Sequence, residues 1–136
     1  MKTNIMLDQV KKLAEEFRFS QHLGVKLVLA ETDRVILQLP YNEYLGIDRV
    51  GGGAISALVD IAASCAFWSN DSVSIDSRGA TIGFSINFLR LVTAEDIWAT
   101  STVRRRGGSI CVADVSVRNG NGEEGAIAVV TYKLSK

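Results

Sequence analysis

Gly51-Gly52-Gly53-Ala54-Ile55-Ser56-Ala57-Leu58-Val59-Asp60-Ile61-Ala62-Ala63-Ser64-Cys65-Ala66-Phe67-Trp68 reads as a helix opened by three glycines, with the rest of the chain wrapped around it. Ile55, Leu58, Val59, Ala62, Cys65 and Ala66 recur at helical spacing and make a wide apolar face. Gly53, Ser56, Ala57, Asp60, Ala63, Ser64 and Phe67 make a second face of mostly small or polar groups. Small residues let another backbone or a ligand come close, so this helix is expected to be buried on both sides. It carries no lysine or arginine and a single acid, Asp60. A buried carboxylate is costly unless it is paired, hydrogen-bonded or protonated. Asp60 is therefore the first candidate for a functional residue.

On the N-terminal side, residues 3–18 read as an amphipathic helix with Met6, Leu7, Val10, Leu13, Ala14 and Phe17 on its apolar stripe. Phe19 to Gly24 reads as a connector that holds His22. Val25–Ala30 and Arg34–Leu39 are strand-like around a Glu31-Thr32-Asp33 turn, and Pro40, which has no N–H for a ladder, ends the second. Tyr41 to Val50 is a loop into the glycines. On the C-terminal side the pattern changes to strands: Gly79–Leu91, Ile97–Arg106, Ile110–Arg118 and Ala126–Leu134. Gly107-Gly108 and Asn119-Gly120-Asn121-Gly122 are turn signals between them. The last three strands are expected to form an antiparallel meander beside Gly79–Leu91. Strands this long span roughly 30–40 Å, so a curled sheet can enclose a central helix of about 27 Å.

The 136 residues suit one domain, 1–136, with a real core. A hydrophobic content of 47% is ordinary for a soluble globular protein. Fifteen basic and fifteen acidic residues balance to zero, so no electrostatic footprint points to nucleic acid or an anionic membrane. Cys65 and Cys111 are isolated in apolar settings and read as buried free thiols, which implies a reducing, cytoplasmic compartment. Charges interrupt the N-terminal apolar run and Asp60 interrupts the central one, so neither a signal peptide nor a membrane span is expected. One histidine, His22, narrows the catalytic menu, and no metal site is expected.

The glycine run with an acid eight residues past Gly52, followed by Thr81-Ile82-Gly83-Phe84-Ser85-Ile86-Asn87-Phe88-Leu89-Arg90 and then Arg105-Arg106-Gly107-Gly108-Ser109, resembles the hotdog-fold acyl-CoA thioesterases of the phenylacetate-degradation type. The likeness covers residues from about 20 to the end. It implies an α+β fold in which a curled antiparallel sheet wraps one long helix, here with an extra N-terminal helix. It also implies that Phe88, Leu89 and Arg90, with residues up to Thr93, and Arg105, Arg106, Gly107, Gly108 and Ser109, with Ile110, cradle the coenzyme A part of the substrate. No separate cofactor is implied. Thr81 matches a hydroxyl position beside the family's acid. One departure stands out: the family has histidine where this chain has Gly51, and its upstream asparagine falls on Leu45 without gaps, or on Asn42 only if a gap is allowed.

Thioester hydrolysis needs an oxyanion donor and a group that attacks or activates water. The free N–H groups of a helix tip are natural oxyanion donors, and Gly52 is expected to donate here, with Gly51 and Gly53 beside it in contact with the substrate. Asp60 is the base or nucleophile. Eight helical residues separate the two by about 12 Å, so they cannot touch one carbonyl within a single chain. The site is expected to be composite, across a homodimer whose central helices run antiparallel. An uncovered outer sheet face points to pairing of dimers. The competing readings are a non-catalytic hotdog protein that binds an acyl or CoA ligand, favoured by Gly51, and a structural scaffold. A dehydratase or hydratase would need a histidine beside an acid, for which His22 is poorly placed.

Overall fold

The computed structural model describes residues 2–135. The chain begins with α1 (Lys2–Lys11), a π-helical turn (Lys12–Glu16) and α2 (Arg18–Leu23). Two strands follow, β1 (Lys26–Glu31) and β2 (Arg34–Leu39), then a 3-10 turn (Glu43–Leu45) and the central helix α3 (Gly52–Trp68). Four strands complete it: β3 (Arg78–Phe88), β4 (Ile97–Arg106), β5 (Ile110–Asn119) and β6 (Glu124–Ser135). They form one six-stranded sheet in the order β1-β2-β4-β5-β6-β3, antiparallel at every pairing. The meander of β4, β5 and β6 with the long β3 beside it is the expected arrangement.

Period-two alternation turns one face of the sheet onto α3. Val35, Leu37 and Leu39 of β2, Ile97 and Ala99 of β4, Ala113 and Val117 of β5, and Val130 and Leu134 of β6 are wholly buried. Leu58, Val59, Ala62, Cys65 and Ala66 of α3 meet them and are likewise closed from solvent. Both cysteines are buried free thiols, and burial pushes the Cys65 thiol far above its ordinary range.

The expected second face of α3 is narrower than its sequence suggests. Ala63 and Phe67 are fully buried, and the Phe67 ring stacks on Tyr132 at 4.8 Å. Gly53, Ser56, Ala57, Asp60 and Ser64 remain as an open stripe. The strand over that stripe is β3, at the edge of the sheet. Phe84, Ile86 and Phe88 pair with Val130, Ala128 and Ala126, inward residues of β6, so they too face inward. The described residues cover Phe84 and Phe88 only in part: they are 40% and 50% exposed.

The N-terminal helix departs from expectation. It widens into the π turn, closed by Phe17 N–H to Lys12 O at 2.7 Å, and breaks at Phe17, whose backbone is extended (φ −62, ψ 132). Phe17 is thereby thrown off the apolar stripe and is 59% exposed. The turn has a tertiary partner, since the Glu15 carboxylate accepts from Leu27 N–H at 2.8 Å, where β1 is irregular. The supposed connector Phe19–Gly24 is mostly α2, ended by Gly24 at φ 86, a left-handed position that favours glycine. Strand β3 stops at Phe88, three residues short of the expected Leu91.

Candidate active site

Asp60 projects from the middle of the open stripe, and Thr81 lies across from it on β3. The Thr81 hydroxyl donates to Asp60 Oδ1 at 2.6 Å, which orients the carboxylate and leaves Oδ2 outside that bond. Thr81 faces inward because it pairs with Tyr132 of β6, just before a bulge at Ile82. Tyr132 itself accepts a hydrogen bond from Trp68 Nε1 at 3.0 Å. Burial raises the Tyr132 phenol above its ordinary pKa and the Asp60 charge adds to this, while hydrogen bonds with Trp68 and Ser64 oppose it. Trp68 and Tyr132 thus close one end of the stripe with a neutral polar pair. Neither carries a motif signal in the sequence, and 64 residues separate them.

The tip of α3 presents the expected glycines. The first internal helix bond is Ile55 N–H to Gly51 O at 3.1 Å, so the amides of Gly52, Gly53 and Ala54 precede the helical ladder. Gly52 and Gly53 are exposed. Gly52 lies under Phe88: a Cβ there would sit 3.3 Å from the ring's Cζ. Gly51 is the N-cap, with no side-chain cap, and its N–H bonds Leu45 O at 2.8 Å. A Cβ at position 51 would come within 3.3 Å of that same carbonyl.

The two segments expected to meet coenzyme A border separate clefts. One, of about 480 Å³, lies at the helix tip between Arg49–Ile55 and Phe88–Val92. The isolated bridge of Arg49 to Thr93 and the bond from Val50 N–H to Val92 O hold its walls together. Arg90 on its rim is paired with Glu123 at 3.0 Å. The other cleft, of about 520 Å³, is bordered by Arg105, Gly107, Gly108, Ser109 and Ile110. Its turn is tight, since a Cβ on Gly107 would lie 2.6 Å from Ile110 O. Arg105 is exposed, whereas Arg106 is turned away: its Nη2 and Nε reach Asp33 Oδ1 at 2.8 and 3.3 Å, and its Nη1 is buried without a protein partner. Arg106 is thus held by Asp33, a residue no motif singled out.

These clefts lie at opposite ends of β6. Leu89 N–H bonds Gly125 O, and Leu134 N–H bonds Ser109 O. Nine residues of strand put them roughly 30 Å apart. Within one chain the Gly52 tip and the Phe88 segment therefore share one end of β3, and Asp60, Thr81 and the Arg105 turn share the other. A third cleft of about 520 Å³ lies on the outer sheet face among Ser85, Asn87, Thr102 and Glu124, away from Asp60. His22 is exposed on α2, outside all three clefts. Among the described residues no group of three or more His, Cys, Asp or Glu gathers as a metal site, and no helix is long and apolar enough to cross a membrane.

The Thioesterase superfamily profile matches residues 49–126, which hold α3, Asp60, Thr81 and both clefts. A protein of Saccharolobus solfataricus, provisionally named an esterase, is 26% identical over 95% of this chain and 94% of its own length. The crystal structure of a thioesterase family protein from Silicibacter pomeroyi superposes with a TM-score of 0.86 at 22% identity, covering 96% of this chain and 98% of that one. The PaaI protein of the E. coli phenylacetic acid degradation operon superposes with a TM-score of 0.85 at 17% identity, covering 98% and 95%. The hotdog fold is the common element.

Proposed function

Since the chain belongs to the thioesterase superfamily and thioester hydrolysis is its chemistry, we propose that its substrate is an acyl- or aryl-acyl-CoA, cleaved at a site shared by two copies of the chain. The observation that carries this reading is the Thr81–Asp60 pair, set on an open stripe eight residues from the helix tip. Two antiparallel α3 helices meeting near Ser56, midway between Gly52 and Asp60, bring one chain's tip to the other's carboxylate. The same twofold brings the Phe88–Thr93 segment of one chain beside the Arg105–Ile110 turn of the other, and so joins two clefts that are too far apart within one chain.

The thioester carbonyl oxygen then rests on the Gly52 N–H, where the helix dipole favours the developing negative charge. Asp60, held by Thr81, takes a proton from the attacking water or attacks the carbonyl itself. With Asp60 as base, the tetrahedral intermediate collapses by breaking the C–S bond, and the thiolate takes the proton that Asp60 holds. With Asp60 as nucleophile, the same cleavage leaves a mixed anhydride that water hydrolyses to the free acid and the restored carboxylate, and the thiolate takes its proton from solvent. The coenzyme arrives and departs as substrate, and its phosphates suit arginine. Dimers pair through the outer sheet face, where Ile127 and Val129 are exposed. The unpaired Cys65 and Cys111 accord with a cytoplasmic setting.

A panel of aryl and fatty acyl-CoAs tests the reading: free CoA is released by the wild type and not by Asp60→Asn. Single turnover in oxygen-18 water separates the two roles of Asp60, since label enters the enzyme only if the carboxylate attacks. Gly51 favours a second reading, a protein that binds an acyl-CoA without cleaving it. Binding without turnover across the whole panel would select that reading.

A further inference from the structure

We infer that Asp33, at the far end of the sheet from the Gly52 tip, is a positioning residue for the coenzyme cleft, acting through Arg106 to present Arg105. The inference rests on the thioesterase reading above. Up to Val103, alternate residues of β4 face inward, and Val103 pairs with Ala113. A register shift then follows, so that Arg105 pairs with Val112 and Arg106 with Cys111, a buried inward residue. Without that shift Arg105 would point into the core side. With it, Arg106 turns inward and Arg105 outward, along Gly107 and onto the cleft that Ser109 and Ile110 border.

Asp33 holds this arrangement. Its Oδ1 takes the guanidinium of Arg106 and also Asn70 Nδ2 at 2.8 Å. Its backbone is clamped on both sides, with N–H to Ser69 O at 2.8 Å and its carbonyl accepting from Val103 N–H at 2.8 Å. Its φ of 63 is left-handed, a conformation that aspartate and asparagine tolerate. The Arg106 side chain is 14% exposed and that of Asp33 38%, so the guanidinium is largely buried while the carboxylate reaches the surface.

The test compares an acyl-CoA with the same acyl group on N-acetylcysteamine, which lacks the nucleotide and its phosphates. Asp33→Asn keeps the backbone conformation and removes the charge. It is expected, like Arg105→Ala, to raise KM for the CoA ester about tenfold with kcat retained, and to leave the short thioester untouched. The double variant is expected to lose no more than Arg105→Ala alone. Arg106→Lys, which keeps the charge but not the fork, is expected to give the same shift and guards against an Asp33 variant that does not fold. Equal losses on both esters, an unchanged CoA preference, or additive losses in the double variant overturn the inference while leaving the thioesterase reading intact. A wild type that cleaves neither ester and binds no CoA by calorimetry overturns both.

Discussion

The two flanks of α3 are built from the same inward-facing strand pattern and end in opposite states. Under β2, Val35, Leu37 and Leu39 are completely shut from solvent against the helix. Under β3, Phe84 and Phe88 occupy the equivalent inward positions and are left bare, with Ile82 at the bulge beside them. The helix matches this division, with bulky Leu58, Val59 and Ile61 buried and Gly53, Ser56 and Ala57 open. One flank is a finished core. The other is half of one, and its single carboxylate, Asp60, lies within the unfinished half. The lesson is that the chain keeps its closed packing on one side of α3 and its one helical carboxylate on the other, so on the proposed reading folding and activity would draw on different sides of one helix.

Substitutions on the two flanks therefore separate activity, assembly and stability. The largest effect is expected at Asp60→Asn, which removes the proposed base or nucleophile: kcat falls by about a thousandfold or more, with an unaltered thermal midpoint checked by calorimetry. Gly52→Pro comes next. Proline is tolerated at the first helical position, and Gly51, at φ −65 and ψ 151, already has the extended backbone that a following proline requires. The substitution deletes the proposed oxyanion N–H and is expected to lower kcat by about a hundredfold in steady-state assays. On the closed flank, Leu37→Ala leaves a cavity and is expected to cost about 2–5 kcal/mol in denaturant titrations, with the dimer retained. On the open flank, Phe84→Glu is expected to yield monomers in sedimentation, with little loss of monomer stability and no turnover. Stable, active monomers of Phe84→Glu would break the comparison. The smallest effect belongs to Thr81→Val, which frees Asp60 Oδ1 and is expected to lower kcat about tenfold.

Much of this division was legible in the residues. The three glycines and the run to Trp68 delimited α3, and the Gly107-Gly108 and Asn119-Gly122 turns delimited the meander, because glycine and asparagine carry local conformational signals. The Thr81–Asp60 bond confirms that those two side chains meet. What stayed hidden was tertiary in origin. The π turn at Lys12–Glu16 accompanies a bond from the Leu27 N–H to the Glu15 carboxylate, which no helical periodicity reports. Phe67 read as part of the open face because nothing local marks its stack on Tyr132, far along the chain. Arg104-Arg105-Arg106 has no apolar alternation, so the bulge that assigns opposite roles to Arg105 and Arg106 left no trace in the pattern. Helix α2 differs: its end is marked locally by Leu23-Gly24, a helix stop signal that a connector over Phe19–Gly24 does not account for.

The most direct test pairs two disabled chains. Co-expressed Asp60→Asn and Gly52→Pro chains, purified as the heterodimer through different tags, contain one site with an intact Gly52 from one chain and an intact Asp60 from the other. Each homodimer is expected to be inactive, and the heterodimer to recover about half of the wild-type turnover, one site of two. A heterodimer that forms and remains as inactive as its parents would contradict a site shared across the twofold.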